Sequence, residues 1–382
     1  MVYFDNAATT YPKPLTVRNA VAEAMNNYGA NPGRGGHKMA VETARKIYEC
    51  RGALAGLFNA GGEEDVVFTS NCTASLNIAL KGVLRGGEHV IISDLEHNSV
   101  LRPVHTMAKA GLITYSKAEV FEGDFERTLA SFAKEIKKET RMIACTNGSN
   151  LTGVVLPVKE LGALCKEKGL LFLVDAAQTA GTLEIDVRES NIDFLCMPGH
   201  KGLYGPSGTG ALVTSKGGLL SPVYTGGTGS MSLISEQPGI MPDKLESGTV
   251  NISGIIGLLA GIEFIKRRGL DKIRGHGLKL MKALYSGLSQ IDRVKLYTNP
   301  PEMGAHLPVL PFNIDGADSE KVAEKLDKSG FALRGGFHCA PLGHRKLGTL
   351  DTGAVRVSFS VFNTINEVEV FIKYVEKLAR KL

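Results

Sequence analysis

The chain has 382 residues, of which 43% are hydrophobic and 22% charged, a composition typical of a globular protein with a substantial core. The net charge is +5, and its basic residues are spread along the chain, so no nucleic-acid-binding surface is expected. Six cysteines are too few for a disulfide framework and lack the close pairs of a zinc site. The sequence shows no signal peptide and no apolar run long enough to cross a membrane, so a cytoplasmic location is expected.

Residues from about 60 to 215 alternate short β-branched runs with amphipathic helical stretches. The predicted strands are 66–69, 89–93, 141–145, 170–174, 194–197 and 210–214, and the predicted helices between them are 73–84, 102–110 and 158–168. This alternation indicates an α/β fold whose mostly parallel sheet is covered by helices on both faces. In such sheets, sites lie in the loops beyond the carboxyl ends of the strands.

Glycine and proline cluster from 217 to 248, which predicts a long loop close to the site. Helices are predicted at 253–268, 270–291 and 366–382. We expect two domains, a large one at 15–255 and a smaller C-terminal one at 256–382 that also includes residues 1–14.

Two charged residues follow neighbouring predicted strands. Asp175 comes directly after the strand 170–174, and Lys201 follows the strand 194–197 within Gly199–Gly202. Pyridoxal 5′-phosphate (PLP) needs a carboxylate at its pyridine nitrogen and a lysine that holds its aldehyde. Each residue alone also fits a structural role, as a turn cap or an exposed lysine. Together with the residues below, they predict a PLP enzyme with Lys201 as the Schiff-base lysine.

Three further residues at the same sheet edge fit this hypothesis. Cys72 and Thr73 lie between a strand and a helix, where backbone N–H groups and the helix dipole can hold a phosphate. His97 follows another strand and can stack on the cofactor ring and carry protons. A simple helix cap and a structural histidine are the alternatives.

The C-terminal part contains a candidate nucleophile and a candidate anion clamp. Cys339 is flanked by Gly335, Gly336 and a proline, which indicates a loop, and His338 and nearby cations are expected to activate its thiol. An ordinary surface thiol is the alternative. Arg356 lies within an apolar alternating strand, where it needs an anion, either a substrate carboxylate or an internal salt-bridge partner.

Nine short motifs in this order resemble those of the class V aminotransferase family. They are Tyr3–Ala8, Gly36–His37, Glu96–His97, Asn147–Asn150, Asp175–Gln178, Gly199–Lys201, Glu246–Thr249, Arg334–Cys339 and Arg356–Thr364. Within that family, the chain is most similar to group II cysteine desulfurases and selenocysteine lyases. The resemblance implies the type I fold of PLP-dependent transferases, with a mostly parallel seven-stranded sheet and a smaller α+β domain. It also implies a homodimer with shared active sites.

The resemblance assigns a role to each matching residue. Lys201 holds the cofactor, Asp175 pairs with its pyridine nitrogen and His97 stacks on its ring. Gln178 forms a hydrogen bond with its phenolic oxygen. The cofactor phosphate is held by Thr73, by His200 and by the loop that contains Cys72. Thr249 reaches the phosphate from the partner subunit. Asn150 orients the substrate on the cofactor, and Arg356 binds the substrate carboxylate. The substrate site is also expected to include Arg334, His37 and Ala8.

The implied reaction converts L-cysteine to L-alanine and leaves a persulfide on Cys339 for a sulfur acceptor. Selenocysteine lyase, another class V transamination or β-elimination, and a non-catalytic sulfur-carrier scaffold are the alternatives. The chain departs from the family pattern at Cys72, Pro198, Gly202 and Phe337. The first three affect how the cofactor is held, and the last affects the cysteine loop.

Overall fold

The computed structural model describes residues 1–32 and 36–382. The strands of this part of the chain are β1 (Val2–Tyr3), β2 (Val66–Thr69), β3 (His89–Ser93), β4 (Thr114–Ala118), β5 (Thr140–Thr146), β6 (Leu171–Asp175), β7 (Phe194–Pro198), β8 (Gly210–Val213), β9 (Val294–Leu296), β10 (Val309–Ile314), β11 (Phe331–Ala332) and β12 (Val355–Ser358). Its α-helices are α1 (Leu15–Asn27), α2 (Lys38–Phe58), α3 (Cys72–Val83), α4 (Asn98–Lys109), α5 (Phe125–Lys134), α6 (Val158–Lys168), α7 (Ile252–Arg268), α8 (Leu270–Leu288), α9 (Ser319–Asp327), α10 (Pro341–Leu347) and α11 (Ile365–Ala379).

Seven strands form the central sheet in the order β2-β8-β7-β6-β5-β3-β4. Strand β8 runs antiparallel to both of its neighbours, and the other pairings are parallel. The expected mostly parallel seven-stranded sheet is thereby confirmed, with one reversed strand. Helices cover both faces, which explains why the central strands are apolar along their whole length.

Strand β6 shows how the sequence produces this layering. Phe172 and Val174 pack into the core on one face of the sheet, and Leu171 and Leu173 pack into the core on the other face. Successive side chains of a strand alternate between faces, so a continuous apolar run is what a doubly covered strand requires. The polar residue that ends the strand, Asp175, therefore lies at the edge of the sheet.

A second core lies in the C-terminal part. An antiparallel sheet, β12-β10-β9, packs against α8 and α11, and β1 pairs with β11. The N-terminal residue Phe4 is fully buried in this core. Helix α7 crosses the point 255/256, and its residues Leu258 and Ile262 pack into the core of the large sheet. The predicted domain boundary at that point stays a prediction.

The glycine-rich region is a long loop, as predicted: residues 220–251, all of them described, contain no α-helix or strand. No helix in the described part of the chain is long and apolar enough to span a membrane.

Candidate active site

The parallel strands β5, β6 and β7 bring the predicted charged residues to one sheet edge. Asp175 pairs with Thr146 on one side and with Cys196 on the other. Lys201 lies three positions beyond the end of β7 at Pro198. The loop that carries the lysine therefore starts beside the aspartate, as the sequence predicted.

Lys201 is enclosed by protein but keeps part of its surface open to the site. Burial lowers the pKa of its amine, and the nearby Asp175 carboxylate opposes this shift. Its carbonyl accepts a 2.9 Å hydrogen bond from Oγ1 of Thr10. An amine that loses its proton more readily is a better nucleophile and base.

Two glycines allow the lysine loop to approach the turn at 180–182. A Cβ atom on Gly202 would collide with the carbonyl of Ala180, and one on Gly181 would collide with the carbonyl of Gly202. The apparent extra residue Gly202 is therefore required by this close backbone contact.

The Asp175 carboxylate is 2% exposed. Its Oδ1 accepts hydrogen bonds from the Ala177 amide at 2.9 Å and from Sγ of Cys72 at 3.4 Å. Within the described residues both bonds use Oδ1, which leaves Oδ2 for a ligand. Burial and the Asp175 charge raise the pKa of the Cys72 thiol well above its ordinary value, so Cys72 stays a neutral donor. The sequence placed Cys72 in the phosphate loop, and the structure directs its side chain to Asp175.

The start of α3 has the geometry of an anion site. The Asn71 side chain caps the helix by accepting from the Ala74 amide at 2.9 Å. Thr73 is exposed, and its hydroxyl lies 2.8 Å from Oγ of Ser99. Nδ1 of His200 is buried and lacks a hydrogen-bond partner among the described residues. Burial, then the charges of Lys201 and Lys13, lower the pKa of His200 to about 4, so its imidazole is neutral.

His97 caps helix α4 and is fixed by its own turn. Its Nδ1 accepts from the Ser99 amide at 3.0 Å and lies 2.8 Å from the Ser99 hydroxyl. Burial lowers the pKa of the imidazole, against the opposing charge of Asp175. Because Nδ1 acts as an acceptor, the neutral ring carries its proton on Nε2.

Arg356, the residue predicted to bind the substrate carboxylate, is 2% exposed. It donates through Nη1 to the Asn150 carbonyl at 2.9 Å and through Nη2 to Oδ1 of Asp5 at 2.7 Å. Its Nε is buried without a partner among the described residues. The half-exposed Arg334 pairs with Oδ2 of the same Asp5 at 3.0 Å. Sequence reasoning missed Asp5, although it stands within the Tyr3–Ala8 motif.

The cysteine loop lies between β11 and α10. Cys339 is exposed, and both His338 and Cys339 have left-handed backbone angles, with φ of 51° and 54°. The Asn98 amide donates to the Cys339 carbonyl at 2.8 Å, and Nδ2 of Asn150 donates to the His338 carbonyl at 2.8 Å. These bonds connect the loop both to the turn that carries His97 and to Asn150.

His338 does not activate the cysteine as a cation. Its side chain is 7% exposed, and its Nδ1 lies 3.3 Å from Nε2 of His344. Burial and the charge of Arg356 lower the pKa of His338 to about 2, so its ring is neutral. The expected contribution of His338 to activating the thiol is wrong, because the ring is turned into the protein.

The other predicted site residues divide into two groups. Gln178 donates to the Ala7 carbonyl at 3.0 Å and borders a cavity of about 50 Å³ beside Lys201. Ala8 lies in the turn that follows Asp5. The other two residues have different partners. Nδ1 of His37 accepts from the Ala40 amide at 3.4 Å, and Oγ1 of Thr249 accepts from Nδ2 of Asn31 at 3.4 Å. The structure thus places Gln178 at the cavity beside Lys201 and Ala8 next to Asp5, and gives the other two different neighbours.

This is an α/β protein in which Asp175 and the loop of Lys201 lie at the carboxyl edge of a mostly parallel sheet. The Aminotransferase class-V family profile matches residues 2–371. A probable cysteine desulfurase from Methanothermobacter thermautotrophicus is 37% identical over 99% of this chain and 94% of its own length. A probable cysteine desulfurase from Pyrococcus abyssi is also 37% identical, over 100% and 95%.

The solved structures give the same result. The apo structure of a cysteine desulfurase from Thermococcus onnurineus superimposes with a TM-score of 0.93 at 36% identity, covering 100% of this chain and 95% of that one. The chain therefore belongs to the class V aminotransferase family. That family implies PLP as the cofactor, and the fold is the type I fold of PLP-dependent transferases.

Proposed function

We propose that this chain is a PLP-dependent cysteine desulfurase that converts L-cysteine to L-alanine and carries the sulfur as a persulfide on Cys339. The observation that supports this most is the position of the cysteine loop. Cys339 is exposed, and its backbone carbonyl is bonded by the Asn98 amide, which connects its loop to the turn that carries His97 at the edge where Lys201 and Asp175 meet. The similarity to cysteine desulfurases over nearly the full chain supports the same reaction.

The residues at the sheet edge fit PLP. Oδ2 of Asp175 is available for the pyridine nitrogen, and the neutral His97 would cover the ring. The first turn of α3, Thr73 and the unpartnered Nδ1 of His200 are suited to hold the phosphate. When bound, PLP withdraws electrons from the substrate Cα.

We propose a role for each of three protein groups. Arg356 binds the substrate carboxylate, and Lys201 removes the Cα proton with an amine whose pKa is lowered. The Cys339 thiolate then attacks the substrate sulfur. A new S–S bond forms, the C–S bond breaks, and its electron pair stays on the substrate carbon, which takes up a proton to become alanine. The sum is cysteine plus a thiol giving alanine plus a persulfide.

We also propose a homodimer with shared active sites. Large apolar side chains are exposed on α2 and in the long loop, where a partner would cover them. They are Met39, Val41, Tyr48, Leu233 and Ile240. Thr249 is exposed and accepts a hydrogen bond from Asn31 at 3.4 Å, and the family resemblance implies that it reaches a partner's phosphate. Light scattering on the purified protein tests the dimer. A dimer mass is the expected result, and a monomer mass would contradict the proposal.

A cytoplasmic location and a sulfur-acceptor protein stay predictions.

The test of the function measures products from the PLP-loaded protein with a thiol reductant. We expect sulfide and alanine in equal amounts from L-cysteine, and loss of both in Cys339→Ala. Pyruvate and ammonia in place of alanine would indicate β-elimination and contradict the proposal. Turnover of L-selenocysteine that persists in Cys339→Ala, with L-cysteine inert, would favour a selenocysteine lyase.

A further inference from the structure

The carboxylate of Asp5 lies between two arginines at the substrate side of the site. Its Oδ1 is 2.7 Å from Nη2 of Arg356, and its Oδ2 is 3.0 Å from Nη2 of Arg334. Each carboxylate oxygen of Asp5 thus pairs with a different arginine. None of the roles proposed above uses Asp5.

The backbone fixes this arrangement. Asp5 pairs in parallel with Ser358, at the end of β12, and Arg334 forms an antiparallel bridge with Arg356 on the same strand. The Arg356 amide donates to the Arg334 carbonyl at 2.8 Å. Directly opposed residues on neighbouring strands have adjacent side chains, so the two guanidinium groups are held side by side.

The two arginines differ in their burial and in their partners. Arg356 is almost fully buried and retains a buried Nε without a partner among the described residues. Arg334 is half-exposed and forms an ion pair with Asp5. Asp5 therefore reduces the charge of the pair from two positive charges to one and holds the more exposed arginine in place. An arginine pair that retains one net positive charge suits a ligand with one carboxylate.

We propose that Asp5 is a specificity-determining residue that restricts the site to amino acids with a single carboxylate. It does so by pairing with both arginines, which cancels one of their two positive charges and holds Arg334, while Arg356 receives the α-carboxylate. This inference rests on the proposed function in one respect, namely that an amino acid binds with its carboxylate at Arg356. Without the negative charge of Asp5, Arg334 becomes available to a second carboxylate on the ligand side chain.

The experiment compares two ligands, L-alanine with one carboxylate and L-aspartate with two. Their dissociation constants are measured by calorimetry on the PLP-loaded wild type, Asp5→Asn and Asp5→Glu. In the wild type, L-alanine should bind more tightly than L-aspartate. In Asp5→Asn, the affinity ratio should shift toward L-aspartate by about tenfold. Asp5→Glu keeps the charge and should retain a ratio close to that of the wild type.

The ratio separates this role from general damage to the site, because weakened packing affects both ligands alike. The double variant Asp5→Asn/Arg334→Gln should lose the shift, since the shift requires Arg334. An unchanged ratio in Asp5→Asn would overturn the proposal. Wild-type protein that binds L-aspartate more tightly than L-alanine would also overturn it, even if the variants fail to fold. The ratio is measured without turnover, so a wild type that releases no sulfide would contradict the proposed function and not this inference.

Discussion

The backbone amide of Asn98 donates a 2.8 Å hydrogen bond to the carbonyl of Cys339. Asn98 is the first residue of α4, directly after the cap His97, so this backbone bond connects the cysteine loop to the turn that carries His97. The loop needs such support, because left-handed angles at His338 and Cys339 cost roughly 1–3 kcal/mol each in non-glycine residues. The thiol is therefore presented by a fixed loop.

This bond can be removed without changing the helix. Proline is well tolerated at the first helical position, and His97 has the extended backbone, with ψ of 156°, that a following proline prefers. We expect Asn98→Pro to bind PLP normally but to lower sulfide release from L-cysteine by about tenfold or more, since the thiol is misplaced. Asn98→Ala keeps the N–H group and serves as the control. Equal activity in the two variants would show that the bond does not position Cys339.

Cys339 should be the reactive thiol of the chain. Among the six cysteines, all of them in the described part of the chain, Cys339 alone is exposed. Brief treatment of the folded protein with iodoacetamide should modify one cysteine, and peptide mass spectrometry should locate it at Cys339. Sulfide release should fall in parallel, while the visible absorption of the cofactor persists. Modification of Cys72 or Cys196 at a similar rate would contradict the structure.

The buried carboxyl of Glu96 should make the free energy of unfolding depend on pH. Burial, with a smaller contribution from the Asp175 charge, raises the pKa of its carboxyl to about 8, and its Oε2 has no hydrogen-bond partner among the described residues. A carboxyl whose pKa is raised by folding destabilises the native state as pH rises from its unfolded pKa, near 4.5, through about 8. Glu96→Gln removes that loss. Its gain in unfolding free energy, measured in urea, should exceed ~1 kcal/mol at pH 8.5 and be smaller at pH 5.5.

The control for this measurement is the exposed Glu369 on α11, whose change to Gln should have little effect at either pH. A gain for Glu96→Gln that is the same at both pH values would mean that Glu96 is not held protonated in the folded protein.

The Glu246–Thr249 motif is anchored by a buried ion pair. Glu246 accepts from Arg51 at 2.7 and 2.5 Å and from the Phe68 amide at 2.5 Å, and the two charged side chains are 10% and 7% exposed. Glu246→Gln leaves the Arg51 charge buried without its partner, so we expect a loss of about 3 kcal/mol in urea unfolding. Glu189→Gln breaks the exposed pair with Lys159 and should cost less than about 1 kcal/mol. Similar losses in both variants would contradict the buried role.

The sequence predicted the core of the fold because its central strands are β-branched apolar runs. Strand β4 (Thr114–Ala118) was missed, since its polar, partly exposed residues carry no such signal at the sheet edge. Helix α4 begins at Asn98 and not at 102, because a histidine, an uncommon cap, starts it. Contacts between distant parts of the chain, such as Asp5 with Arg356 or Cys72 with Asp175, follow from tertiary packing and have no local pattern.

The central claim is that Lys201 holds PLP, and one measurement tests it most directly. The PLP-loaded wild type should show a visible absorption band that borohydride removes, with the reduced cofactor found by peptide mass spectrometry on Lys201. Lys201→Ala should lack the band. The control is Lys13→Ala, because burial also lowers the pKa of Lys13, to about 8, and its Nζ lies 2.6 Å from the His200 carbonyl. That variant should keep the band. A borohydride-sensitive band in Lys201→Ala, or the cofactor attached to Lys13 in the wild type, would contradict the claim.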